Sequence, residues 1–226
     1  MFSDRLISQE DRDDFMVMLK QQVKQRFRKD YDKIVEVKPL LFASYVPTIY
    51  AETDVDKKKP LGDIYCELID KDKMKKRSES MLEEFNNVNR AKKMDLVLFT
   101  DAIEHIVKIH RVITTQYGNA LLVGVGGSGR KSLTELANFI ANYDIVVLEM
   151  AKGYDFKAWR DDMREKLFLA CGCDNKPLVF LFSDTQIINE AFLEDINNIL
   201  NNGKIPNLYS KDDDNFIHES LKEAYK

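Results

Sequence analysis

Between residues 124 and 132 the chain reads Gly-Val-Gly-Gly-Ser-Gly-Arg-Lys-Ser. Glycine takes positive φ at little cost, so such a run can turn successive backbone N–H groups toward one anion. Gly124 and Gly129 bracket four residues, the spacing of G-x-x-x-x-G-K-[ST]. Apolar Ala120, Leu121, Leu122 and Val123 precede the run, and Leu133, Leu136, Ala137 and Ile140 follow it at helical spacing. A buried strand that enters a glycine turn and leaves as a helix is the setting for phosphate held by backbone amides and a helix N-terminus. The candidate ligand-binding residues are therefore Gly124, Gly126, Gly127, Ser128, Gly129, Arg130, Lys131 and Ser132.

The side chains of this loop depart from the pattern that its glycines set. Arg130 stands where the phosphate-binding lysine belongs, and Lys131 where a hydroxyl would hold Mg²⁺. Reading Lys131-Ser132 as the usual pair moves the bracketing positions to Val125 and Arg130, neither of them glycine, so that register is rejected. Arginine can still grip phosphate oxygens through two N–H groups. A phosphate site of this kind needs a second strand whose end presents an acid. The candidate is Val179-Phe180-Leu181-Phe182 followed by Ser183 and Asp184.

With 34 basic and 38 acidic residues among 226, and no strongly basic half, the chain is not built to bind nucleic acid by neutralising phosphates. No run of eighteen apolar residues and no secretory leader pattern is present, from which we expect no membrane insertion and an intracellular location. Cys66, Cys171 and Cys173 read as free thiols, since Cys-Gly-Cys lacks zinc-site spacing. The lysine runs at 57–59 and 71–77 read as solvated faces or loops.

The elements that must position the loop follow from periodicity. Ser8-Gln9-Glu10-Asp11 has the form of a capping box and opens a helix expected over 9–31, with Phe15, Leu19, Val23 and Phe27 on one side. From Pro39 to Gly62 an exposed loop or connector is expected, then a helix over 71–90 and another from about Asp101. His105 and His110 on that helix are five apart and read as surface histidines. From Ala120 onward, strands at 120–124, 145–149 and 178–182 alternate with helices, the pattern of a parallel sheet. The helix carrying Trp159, Met163 and Leu167 reads as packing, and one through Phe192, Ile196 and Ile199 should stop at Asn202-Gly203. A short helix closes the chain after Ser210.

The strings Leu96 to His105, Gly124 to Arg130 with Ser132-Leu133, Phe180 to Ile187, Phe192 to Asn198 and Gly203 to Leu208 closely resemble the fourth AAA+ module of axonemal dynein heavy chains. The resemblance is strong over 94–209. It implies an α/β P-loop NTPase or AAA+ large subdomain, with a truncated parallel sheet flanked by helices and a helical segment before it. Residues 1–92 would be the end of the preceding module with its connector, and 93–226 a partial nucleotide-binding core. The resemblance also places Ser183 on the family's Mg²⁺-supporting Asp, and Asp184 on the Glu that polarises water. Serine brings no negative charge to a metal, and aspartate is one methylene short of glutamate. Asp184 is thus the catalytic position in weakened or inactive form, and Ser183 with Asp184 a degenerate metal site.

By the same resemblance the ligand is ATP or ADP, with adenine near Val97 and Leu98 and with Mg²⁺ weakly held. The module would be regulatory, inside a minus-end-directed microtubule motor for ciliary and flagellar beating. Its partners would be neighbouring AAA+ modules and, through the whole motor, intermediate and light chains and microtubules; its place would be the cytoplasm, cytoskeleton and axoneme. Alternatives are a free-standing P-loop ATPase or kinase, and a structural adaptor that binds no nucleotide. The family's sheet has a strand between those at 120–124 and 178–182 that is not found here. We therefore expect these two strands to pair directly, or the gap to be filled by another segment or chain.

Overall fold

The computed structural model of the chain describes residues 3–35, 40–46, 65–68, 70–174 and 176–222. It forms two compact units, Met1–Lys71 and Asp72–Lys226.

In the first unit, helix α1 (Gln9–Phe27) begins where the Ser8 side chain accepts the Asp11 N–H. It stops four residues earlier than the periodicity suggests, because Arg28 turns left-handed at φ 54° and sends its N–H to the Lys24 carbonyl. A second short helix, α2 (Tyr31–Ile34), follows an Asp30 cap, and Lys20 bridges back to Asp32 at 2.8 Å. Strands β1 (Phe42–Ala43) and β2 (Cys66–Glu67) pair antiparallel. Leu41, Ala43, Tyr45 and Val46 are buried, so the apolar piece expected in an exposed loop is not exposed. The Asp/Lys cluster at 54–59 and Gly62 lie outside the described residues.

The second unit carries the candidate site. Helices α3 (Lys71–Val88), α4 (Thr100–Ile113) and α5 (Arg130–Ala141) each bury one stripe. Ile103, Ile106 and Val107 of α4 face the core, as do Leu133, Leu136 and Ala137 of α5, and α4 packs against α5. Phe85 of α3 meets Phe139 of α5 edge to face at 5.3 Å.

After α5 the chain alternates. Strand β3 (Asp144–Val146) pairs in parallel with β4 (Leu178–Phe180), with Ile145 opposite Val179. The crossover is one helical rod, built from α6 (Phe156–Asp162), a π-helical stretch (Met163–Leu169) and α7 (Ala170–Asp174). Helix α8 (Glu190–Asn202) ends at Gly203, whose φ of 68° lets its N–H reach the Ile199 carbonyl. Ser210 then caps α9 (Lys211–Leu221). The second core lies between the crossover and α8: Trp159 stacks on Phe192 at 4.4 Å and is flanked by Phe180 and Phe182. Trp159 is wholly buried, and its indole N–H donates to the buried carboxylate of Asp195 at 3.0 Å. Packing is the role expected of it.

Two expectations are corrected here. Residues 120–124 form no strand: Leu121 and Val123 are 89 % and 85 % exposed, and the described ladders join only β1 with β2 and β3 with β4. Among the described residues neither direct pairing with 178–182 nor a filling segment is found. An apolar run becomes a strand only where a neighbour takes its N–H and C=O groups, and no described segment does so here. The second correction is His110, which is buried on the core face of α4, while His105 is exposed. The five-residue spacing turns the two to different sides of the helix.

Burial pushes the His110 pKa below its ordinary 6.5, because desolvation disfavours the imidazolium. With the folded pKa below the unfolded one, the unfolded chain binds the extra proton, so stability is lost as pH falls through the ordinary histidine range. Asp213 has a carboxyl held low by Ser210, and its contribution is lost only below 3.8. Urea unfolding should therefore show lower stability at about pH 5.5 than at about pH 7.5, and His110→Gln should reduce that difference. An equal pH dependence in the variant would contradict this.

Candidate nucleotide site

Gly127 and Gly129 both take φ of 76°, the left-handed conformation that glycine alone adopts freely. The turn closes where the Ser128 N–H reaches the Val125 carbonyl at 3.4 Å. Helix α5 then starts, and its first bond from Leu133 N–H to the Gly129 carbonyl at 2.8 Å leaves the amides of Arg130, Lys131 and Ser132 outside the helical ladder. Those donors, at the N-terminus of a twelve-residue helix, suit phosphate oxygens. Lys131 is exposed and Ser132 half-buried.

Arg130 folds back over its own loop. Its Nη2 donates to the Val125 carbonyl at 3.0 Å and its Nη1 to the Leu122 carbonyl at 3.4 Å. A Cβ on Gly124 would stand 3.3 Å from Ser128 Oγ, a tight approach, and 3.6 Å from Arg130 Cδ, an ordinary contact. Gly124, Ser128 and Arg130 are thus brought together. Of the two residues expected near adenine, Val97 is 82 % exposed and Leu98 is in the core, so only Val97 offers a side chain at the surface.

The strand end after β4 is organised differently. Ser183 Oγ lies 2.9 Å from Thr185 Oγ1 and donates to Gln186 Oε1 at 3.1 Å. Asp184 is exposed, and its Oδ1 accepts the Thr185 N–H at 3.0 Å. Among the described residues no group of three or more His, Cys, Asp and Glu side chains can hold a metal. One exposed carboxylate with an oxygen already engaged, beside a serine bonded within its own turn, does not fit a magnesium shell built from protein oxygens.

The residue that organises this end is Gln186, which the motif search passed over. Its side chain is buried: Oε1 accepts the Ser183 N–H at 2.6 Å, and Nε2 donates to the Leu148 carbonyl, beyond the end of β3, at 2.5 Å. One amide therefore ties the ends of both parallel strands. The signal was in the sequence, since Ser183-Asp184-Thr185-Gln186 has the S-x-x-Q form of a capping box.

Comparison with known proteins decides the family: residues 94–226 match the one described as P-loop containing dynein motor region D4. The chain belongs to that family. It is 42 % identical over 224 residues to human dynein axonemal heavy chain 1, which covers 98 % of this chain and 5 % of the relative. To human dynein axonemal heavy chain 6 it is 41 % identical over 214 residues, 94 % of this chain and again 5 % of the relative. The Chlamydomonas reinhardtii dynein-1-beta heavy chain of the flagellar inner arm I1 complex is 50 % identical over 133 residues, 59 % of this chain and 3 % of the relative. The chain thus spans about a twentieth of the length of the curated relatives it matches. A helical dynein motor region with a small parallel sheet, of the AAA+ P-loop class, is the fold expected from the residues.

In this D4 region the Ser183–Gln186 turn is a clasp on the main chain. Gln186→Ala leaves the Leu148 carbonyl and the Ser183 N–H without that partner and should cost about 1–3 kcal/mol, read from urea unfolding. Asp184→Asn at the exposed neighbour should change stability by less than about 0.5 kcal/mol. The reverse ranking would contradict the assignment.

Proposed function

We propose that this chain is a nucleotide-binding, regulatory AAA+ module of an axonemal dynein heavy chain, which works inside an ATP-driven, minus-end-directed microtubule motor for ciliary and flagellar beating. Residues 93–226 are its partial AAA+ core, and 1–92 bring the end of the preceding module with its connector. Neighbouring AAA+ modules are its immediate partners; intermediate and light chains and microtubules are reached through the whole motor, in the axonemal cytoskeleton. No helix among the described residues is long and apolar enough to cross a membrane.

The observation that carries this reading is the contrast between the two halves of the site. The glycine loop keeps left-handed Gly127 and Gly129 and amides outside the helical ladder, which supports binding of ATP or ADP phosphates. At the strand end, Ser183, Asp184 and Gln186 are bonded to one another's turn, which leaves little to polarise a water or hold Mg²⁺. A site that binds and does not turn over reports occupancy to its neighbours, and that is regulation.

Titration of the protein with a fluorescent adenine nucleotide should give saturable binding with little phosphate release. Gly129→Val, which forces a β-branched residue to φ of 76°, should weaken binding about ten-fold or more. Absence of binding at millimolar nucleotide, or rapid phosphate release from this site, would overturn the reading.

A further inference from the structure

The arginine at the lysine position does something in the structure that a lysine is poorly shaped to do. A guanidinium presents several N–H donors in a rigid planar fork, whereas an ammonium is a compact point charge. Arg130 uses that fork to span two carbonyls of its own loop, Leu122 at 3.4 Å and Val125 at 3.0 Å, three residues apart. The Val125 carbonyl also closes the turn by accepting the Ser128 N–H, so one oxygen serves both the turn and the brace. The stem of Arg130 runs past Gly124 at ordinary contact distance, 3.6 Å from where a Cβ would stand. Segment 120–125 has no sheet partner to hold it, and the exposed Leu121, Val123 and Val125 anchor nothing.

We propose that Arg130 is the loop's internal brace: its guanidinium holds the Leu122–Val125 segment in the absence of phosphate and exchanges those carbonyls for phosphate oxygens when an anion enters. The proposal rests on the nucleotide-binding reading and adds regulation to it. Phosphate is then met by a preformed loop whose own cation must let go of the main chain before it can pair, so binding and loop release are one event.

The test is nuclear magnetic resonance on the isotopically labelled chain, reading the Arg130 side-chain nitrogens and the backbone order parameters of residues 121–128. Without nucleotide, the Arg130 guanidinium should show slowed rotation, and the order parameters should sit near the rigid value of about 0.85. In Arg130→Met they should fall toward about 0.6, with a partial fall in Arg130→Lys, while α4 and α8 stay unchanged. Freely rotating Arg130 signals in the unmodified chain would overturn the brace, as would unchanged order parameters in a folded Arg130→Met. Inorganic pyrophosphate and ADP separate the two claims. If neither perturbs the loop although Arg130→Met loosens it, Arg130 braces the free loop, but the exchange for phosphate is overturned together with nucleotide binding. If ADP binds and Arg130→Met leaves the free loop as rigid as before, nucleotide binding stands and the brace fails.

Discussion

Main-chain N–H and C=O groups must find partners, and the described residues hold few strands to supply them. Among the described residues the second unit has one ladder, three residues long, between β3 and β4. Beyond it, side chains take over the pairing. Asn86 both donates to and accepts from Met94, Asn138 reaches the Tyr143 carbonyl at 2.7 Å, and Arg160 the Pro206 carbonyl at 2.6 Å. Gln186 ties Leu148 to Ser183, and Arg130 holds Leu122 and Val125. The two positions where phosphate and metal chemistry is expected are thus among those where side chains are committed to the backbone.

The core explains why a sheet this small keeps its strand ends in place. A parallel pair needs cover, and the crossover provides it by setting Trp159 against Phe180, Phe182 and Phe192. The polar edge of that indole is satisfied by Asp195, which lies 3.7 Å from the Arg160 guanidinium. Ring stacking and a buried N–H to carboxylate bond fix the crossover helix to α8, so the turn between β4 and α8, which carries Ser183 and Gln186, is held at both ends.

Most of this was legible in the residues, for identifiable reasons. The helices followed from apolar spacing and from the caps at Ser8 and Gly203, because a helix satisfies its backbone within itself and needs only local information. The strand at 120–124 was misread because strand formation depends on a neighbour, which an apolar run cannot announce. The burial of His110 was missed because two histidines were weighed against each other as ligands and not against the stripe of Ile103, Ile106 and Val107 beside them. At the site, the glycine conformations and the departures at Arg130, Lys131, Ser183 and Asp184 were readable. Where the guanidinium and the Gln186 amide turn is decided by tertiary contacts with carbonyls at 122, 125 and 148.

On the proposed reading, the glycine loop is the working part of the site and the Ser183–Gln186 turn is a structural clasp that holds Mg²⁺ weakly at most. Magnesium dependence of nucleotide affinity tests it most directly. ADP affinity measured calorimetrically in excess Mg²⁺ and again in a chelator should differ by less than about two-fold, because no protein carboxylate pair rewards the ion. Tightening by about ten-fold or more with Mg²⁺, lost in Asp184→Asn, would show a working metal site at the end of β4 and contradict the account.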